Sequence, residues 1–214
     1  MKTHPAIITE LVILCLIIPG IIIGLRLAPF MFAFLWGATG YCWVILRTHY
    51  KETLTTIWKW KAVNAQNLKP ILIRWLLASI GMYFFTLWYD PDRLFMIWNH
   101  NRSFIPVLMI AYPLISALPQ EFVFCSFFFD RYDKLFKNTK LLIFMSALFF
   151  AYAHCLYINP VAPPLSFLGG LIFASTYAKT RSLALVTIEH GLYGNSLFLI
   201  GLGWYFYSGS VPTG

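Results

Sequence analysis

IPVLMIAYPLISALPQEFVFCSFFF, residues 105–129, contains a single ionisable acid, Glu121. Apart from Gln120, everything around it is hydrocarbon, aromatic ring, proline or small residue. About 20 predominantly apolar residues suffice to cross the roughly 30 Å hydrocarbon core of a bilayer. A carboxylate in the middle of such a segment costs about 3 kcal/mol even on lenient insertion scales, so it is held toward a protein interior and usually serves a purpose. The stretch reads as a transmembrane helix that carries a functional group.

The rest of the chain agrees. Of 214 residues, 59% are hydrophobic and only 11% charged, with a mean hydropathy of +0.70; a soluble domain carries about 25% charged residues. Apolar runs fall at roughly 8–25, 28–46, 70–89, 105–128, 140–157, 163–178 and 183–207. No ten-residue alternating pattern of the barrel type occurs, and backbone polar groups in lipid need partners within the element. The expected fold is an all-α membrane protein, a polytopic helical bundle of about seven transmembrane helices. Very little chain around Arg26 and Pro29 joins the first two runs, so they should form a tight hairpin. The first run lacks a small-residue cleavage site before Leu25 and reads as a retained span.

The formal charge of +8 does not point to nucleic acid, because the cations sit between apolar runs rather than on one face. They set an orientation instead. With the N-terminus inside, the inner segments hold Lys2, Arg47, Lys51, Lys59, Lys61, Lys69, Arg131, Lys134, Lys137, Lys140, Lys179 and Arg181. The outer ones hold only Arg26, Arg93 and Arg102. This asymmetry places the N-terminus in the cytoplasm. Residues 47–69, with Trp58 and Trp60 beside Lys59 and Lys61, read as an interfacial segment. Phe127, Phe128 and Phe129 read as part of an aromatic interface belt. Gly169, Gly170, Gly191 and Gly194 read as points of close helix packing. Cys15, Cys42, Cys125 and Cys155 have no CxxC spacing and read as small buried residues.

Besides Glu121, the inner polar candidates are His154, the pair Glu189–His190, and Asn195. At 1.5 Å per residue, Glu121 and His190 fall about 10–12 Å from the inner ends of their helices and His154 about 20 Å. A carboxylate can take a proton from water with an imidazole sharing it. The same Glu121, His154 and His190 could instead hold a zinc ion that lowers the pKa of bound water. Asn195 could donate to a developing oxyanion. Glu189 points about 100° away from His190 and reads as an orienter or a polar contact, with Arg74 available to pair with an acid. The bland alternative is that these groups only tie helices together by hydrogen bonds. No HExxH or GxSxG occurs, and Asp90, Asp92, Asp130 and Asp133 lie at span ends or in loops, so neither a zincin site, a serine elbow nor an aspartate dyad is available.

Read in order, QEFVFC (120–125), FAYAH (150–154) and EHGLYGN (189–195) resemble the three stations of the CPBP family of intramembrane proteases, which are related to the CaaX prenyl proteases. That family's pattern is EExxxR, then FxxxH, then a His followed by an Asn. Gln120 stands at the first Glu, Cys125 at the Arg, and Asn195 follows His190 by five residues rather than four. The resemblance spans about 105 to 207. It implies a catalytic helical core over 105–207, preceded by N-terminal helices and the cytoplasmic interfacial segment in 1–104 and followed by a short tail, 208–214. It also implies hydrolysis of a peptide bond within a membrane-associated peptide or protein. Glu121 would activate water with help from His154, while His190 and Asn195 stabilise the carbonyl oxygen; a Zn2+ on Glu121, His154 and His190 is the variant form. The location implied is a bacterial inner membrane. The rival readings are a non-catalytic adaptor or bacteriocin-immunity protein on the same scaffold, and a transporter relaying protons through the same groups.

Overall fold

The computed structural model describes residues 5–136 and 138–211. Lys2 and Lys137, counted among the inner cations, and residues 212–214 of the tail lie outside them. The described residues contain helices and turns and no strand. Six helices are long and apolar enough to cross a membrane: α1 (Pro5–Gly24), α2 (Ala28–His49), α3 (Ala65–Tyr89), α4 (Arg102–Leu135), α5 (Thr139–Tyr157) and α7 (Leu183–Ile200). Between the last two lies α6 (Ala162–Thr180), of similar length, whose prolines, glycines and hydroxyl residues make it less apolar. The chain is an all-α, multi-pass membrane protein.

Burial shows where the core sits. Two thirds of α7 (67%) is enclosed by protein, against 11% for each of α1 and α2. The hairpin α1–α2 therefore faces lipid along most of its length, and α7 is the central helix. It starts at Ser182, whose Oγ accepts from Leu185 N (3.2 Å) as an N-cap. It stops at Ile200 rather than near 207, because Gly201 adopts a φ of 121° and the chain turns into a short 3-10 helix, Leu202–Phe206. Helices α5 and α6 approach closely at Gly170, where an added Cβ would lie 2.9 Å from the Ala147 Cα.

Helix α4 runs on past 128 and is not regular. Two π-helical stretches, Tyr112–Ala117 and Phe122–Phe127, flank Leu118–Glu121. Two prolines sit in this region, and a proline has no N–H for the carbonyl four residues back. Neighbouring helices supply those carbonyls with side-chain donors. Trp36 Nε1 on α2 donates to Ile115 O (3.1 Å), four residues before Pro119. Asn195 Nδ2 on α7 donates to Met109 O (3.1 Å), four residues before Pro113.

Phe127, Phe128 and Phe129 are not an interface belt. All three are buried. At this level α4 is surrounded by α2, α5 and α6, so three successive side chains all meet protein: Phe127 lies edge-on to Tyr41, Phe128 packs against Phe149, and Phe129 meets Tyr177 edge-on. Below them, Glu10 of α1 is clamped to α4. Its carboxylate receives Arg131 Nε (2.9 Å) and an Arg131 terminal nitrogen (2.8 Å), together with the hydroxyls of Tyr132 (3.0 Å) and Tyr41 (3.1 Å). Of the four cysteines, Cys15, Cys42 and Cys125 are buried and Cys155 is half-buried, all as free thiols.

Candidate active site

Glu121 reaches from α4 to α7. Its Oε1 lies 2.7 Å from His190 Nδ1, and both side chains are almost wholly enclosed, with Glu121 1% and His190 5% exposed. The other imidazole nitrogen, Nε2, lies 2.9 Å from the Tyr112 hydroxyl. A carboxylate accepts, so Nδ1 carries the hydrogen; Nε2 of a neutral ring then accepts from the phenol. The result is a directed chain, Tyr112 O–H to His190 Nε2 and His190 Nδ1–H to Glu121. Gly194, one turn beyond His190, makes room for it: a Cβ there would clash with the phenol end of Tyr112. The imidazole plane is fixed by Phe173 of α6, stacked on it at 4.4 Å and 16°, and by the edge contact with Phe150 of α5 at 5.8 Å.

Glu121 Oε2 is buried and has no hydrogen-bond partner among the described residues. A buried oxygen of this kind costs about 1–3 kcal/mol unless a water molecule reaches it. It is therefore the free acceptor of the pair.

His154 is placed differently. It is the last residue of the regular part of α5 and its Nδ1 meets the Phe150 carbonyl one turn back (2.7 Å). That bond fixes the tautomer: Nδ1 carries the hydrogen and Nε2 is left as an acceptor. No hydrogen bond joins His154 to Glu121 or His190; Phe150 touches both imidazole rings, at 4.5 Å and 5.8 Å. The depth difference seen along the sequence has this physical form. His154 lines a cavity of about 430 Å3 beside Gln120, Ser116 and Tyr157, with α1 and α2 forming the apolar opposite wall. Gln120 donates from Nε2 to Ser116 Oγ (2.8 Å) and leaves Oε1 unpartnered. Adjacent residues on α4 thus look in different directions, Gln120 into the cavity and Glu121 into the helix core.

Asn195 donates one N–H to the Met109 carbonyl, and its Oδ1 is unpartnered. Glu189 is a polar bundle contact: Arg74 of α3 holds it at 2.7 Å and also donates to Thr176 Oγ1 at 3.1 Å. Beside it, Trp75 Nε1 bonds Leu192 O (3.1 Å) and Ser196 Oγ (2.8 Å), tying α3 to the helix that carries His190.

Among the described residues no group of three His, Cys, Asp or Glu side chains is placed to hold a metal ion. The donor set explains this for Glu121, His154 and His190. Both nitrogens of His190 are already bonded, and no hydrogen bond joins His154 to Glu121 or His190. In this arrangement the three do not fit a shared zinc.

Residues 102–195 match the family model described as type II CAAX prenyl endopeptidase Rce1-like. This stretch of the chain is similar to an Rce1-like domain. Glu121, His154, His190 and Asn195 all fall within it, as does Tyr112, which nothing in the sequence marks out among twelve tyrosines. Neither a curated protein nor a solved structure matches the chain. The Rce1-like family supports an intramembrane CAAX-type protease in general, acting in the bilayer on membrane-associated substrates.

Proposed function

We propose that this chain is an intramembrane endopeptidase in which Glu121 activates water with its free oxygen while His190 and Tyr112 hold that carboxylate in place. The observation that carries the reading is the 2.7 Å Glu121–His190 bond, which leaves Oε2 as a buried acceptor without a partner. A water bound there gives its proton to Glu121 as its oxygen adds to the scissile carbonyl carbon. Both donors of the His190–Tyr112 chain are used within it, so that pair orients Glu121 rather than stabilising the tetrahedral oxyanion. Collapse of the tetrahedral intermediate breaks the C–N bond, and the departing amine takes the proton back from Glu121. His154, which lines the cavity rather than meeting Glu121, orients the substrate segment there. Asn195 supports α4, with one N–H of its amide held by the Met109 carbonyl.

The substrate is a membrane-associated peptide or protein, and the apolar cavity between α1, α2 and α4 is where its neighbouring segment lies. The basic distribution supports a cytoplasmic N-terminus, and the motif resemblance a bacterial inner membrane. Purified chain in proteoliposomes, offered a library of membrane-anchored peptides, tests the reading: cleavage by the natural protein and none by Glu121→Gln is the expected result.

One observation favours the second reading, a non-catalytic adaptor or immunity protein. The motif residue that lines the cavity beside His154 is Gln120, a neutral amide, whereas Glu121 and His190 do not line it. Absence of cleavage across the library, with cleavage appearing in Gln120→Glu, would establish that reading.

A further inference from the structure

The connection between α2 and α3 carries Lys51, Lys59 and Lys61 against one acid, Glu52, with Arg47 and Lys69 on the flanking helix ends. All four lysines are exposed. Among the described residues none of them forms an ion pair, whereas two arginines on the same membrane face are committed, Arg131 to Glu10 and Arg181 to Asp130. The connections α2–α3, α4–α5 and α6–α7 share that face because two crossings separate each from the next.

Within the connection the backbone makes a built turn. Lys59 adopts a left-handed conformation (φ 36°, ψ 54°), which a residue with a side chain rarely takes. The reversal stacks Trp58 on Trp60, with centroids 5.8 Å apart and planes within 6°, and leaves them 41% and 63% exposed. The carbonyls of the turn are occupied from inside. Ser182 Oγ donates to Trp58 O (2.9 Å), Leu183 N to Ile57 O (2.9 Å), Asn64 Nδ2 to Lys61 O (2.8 Å) and Asn67 Nδ2 to Ala62 O (2.9 Å). What faces outward is ammonium groups and indole faces.

We infer that this turn binds the headgroup of an anionic phospholipid in the adjoining leaflet. Lys59 and Lys61 meet the phosphate, and the Trp58–Trp60 stack rests at the boundary between headgroups and acyl chains, where indoles are favoured. Juxtamembrane cations gain most from anionic lipid, and the paired indoles select a lipid over a soluble anion. The site is bolted to the start of α7, because Ser182, which holds the turn, is also the N-cap of the helix that carries His190. Binding of the lipid is independent of whether the chain cleaves peptides.

The test uses the full chain in phosphatidylcholine nanodiscs, titrated with short-chain phosphatidylglycerol and read by native mass spectrometry. The natural protein is expected to bind, and the double variant Lys59→Gln/Lys61→Gln to bind about tenfold more weakly or worse. The control Lys134→Gln/Lys140→Gln removes equal charge from the same face and is expected to leave affinity within about twofold. Inorganic phosphate at the same concentration should not compete. The substituted lysines are exposed, and equal thermal midpoints in phosphatidylcholine alone confirm folding; Trp60→Ala gives a second route to the same loss. Equal weakening in both double variants would show diffuse charge and overturn the site. Competition by phosphate, or no binding by the natural protein, would overturn it as well.

Discussion

Asn195 donates to the carbonyl of Met109, the one that Pro113 cannot serve. This relationship assigns the amide to holding α4 against α7 where the helix widens. Asn195→Ala should lower the thermal midpoint and cost about 1 kcal/mol, the net worth of one such hydrogen bond. Cleavage per folded molecule should stay near that of the natural protein. Full abundance with lost cleavage would return Asn195 to the oxyanion.

Glu121 and Gln120 separate cleanly by substitution. Glu121→Gln keeps the shape and a hydrogen bond to His190 but cannot take a proton. It should lower cleavage by at least about 100-fold, the usual scale of a lost general base, while accumulating normally. Gln120→Ala, which removes only an amide facing the cavity, should retain a substantial share. Turnover of a membrane-anchored peptide by both variants measures the contrast.

The two histidines should fail in different ways. His190→Ala strands Glu121 Oε1 and the Tyr112 hydroxyl in the core, so both cleavage and stability should fall, the latter by about 1–3 kcal/mol. His154→Ala strands only its own helix's Phe150 carbonyl and should lower cleavage with little loss of abundance. Thermal unfolding of the two variants in detergent distinguishes them; equal destabilisation would contradict the placement of His154 at the cavity edge.

Because Glu121, His154 and His190 do not meet at one point, a chelator should leave both the thermal midpoint and peptide cleavage unchanged. Incubation with 1,10-phenanthroline followed by both measurements checks this. Loss of activity restored by added zinc would mean that these side chains rearrange around a metal.

Single cysteines report the orientation. With the N-terminus in the cytoplasm, a cysteine at Arg102 should react with an impermeant maleimide from outside intact cells, and one at Lys134 only after permeabilisation. A background lacking Cys155, the least buried of the natural thiols, keeps the readout clean. The reverse pattern would invert the assignment of both faces.

The helices could be read from the sequence because lipid enforces them: a backbone in hydrocarbon must bond to itself, so apolar length alone locates the spans. Glu121 and His190 were legible for the same reason, since ionisable groups in oil need a purpose or a partner. Tyr112 gave no such signal, because a tyrosine in an aromatic-rich helix looks ordinary until its neighbour is known. The Asn195 contact was latent in Pro113, whose missing N–H calls for a donor four residues back, but sequence alone does not say which helix supplies it. Phe127–Phe129 misled because three adjacent aromatics look the same in a membrane belt and in a core enclosed on every side. Whether His154 joins the other two depends on how far α5 slides along α4, and periodicity does not encode that register.

The clamp on Glu10 bears on how the protein is made. Glu10 of α1 emerges from the ribosome long before its partner Arg131, which lies 121 residues further along the chain. Until α4 has been inserted, α1 must keep Glu10 near the water-facing edge of the bilayer or leave its charge uncompensated. The α1–α2 hairpin is therefore synthesised before α4 but seated after it, closing the apolar cavity only when the domain that it covers has been built.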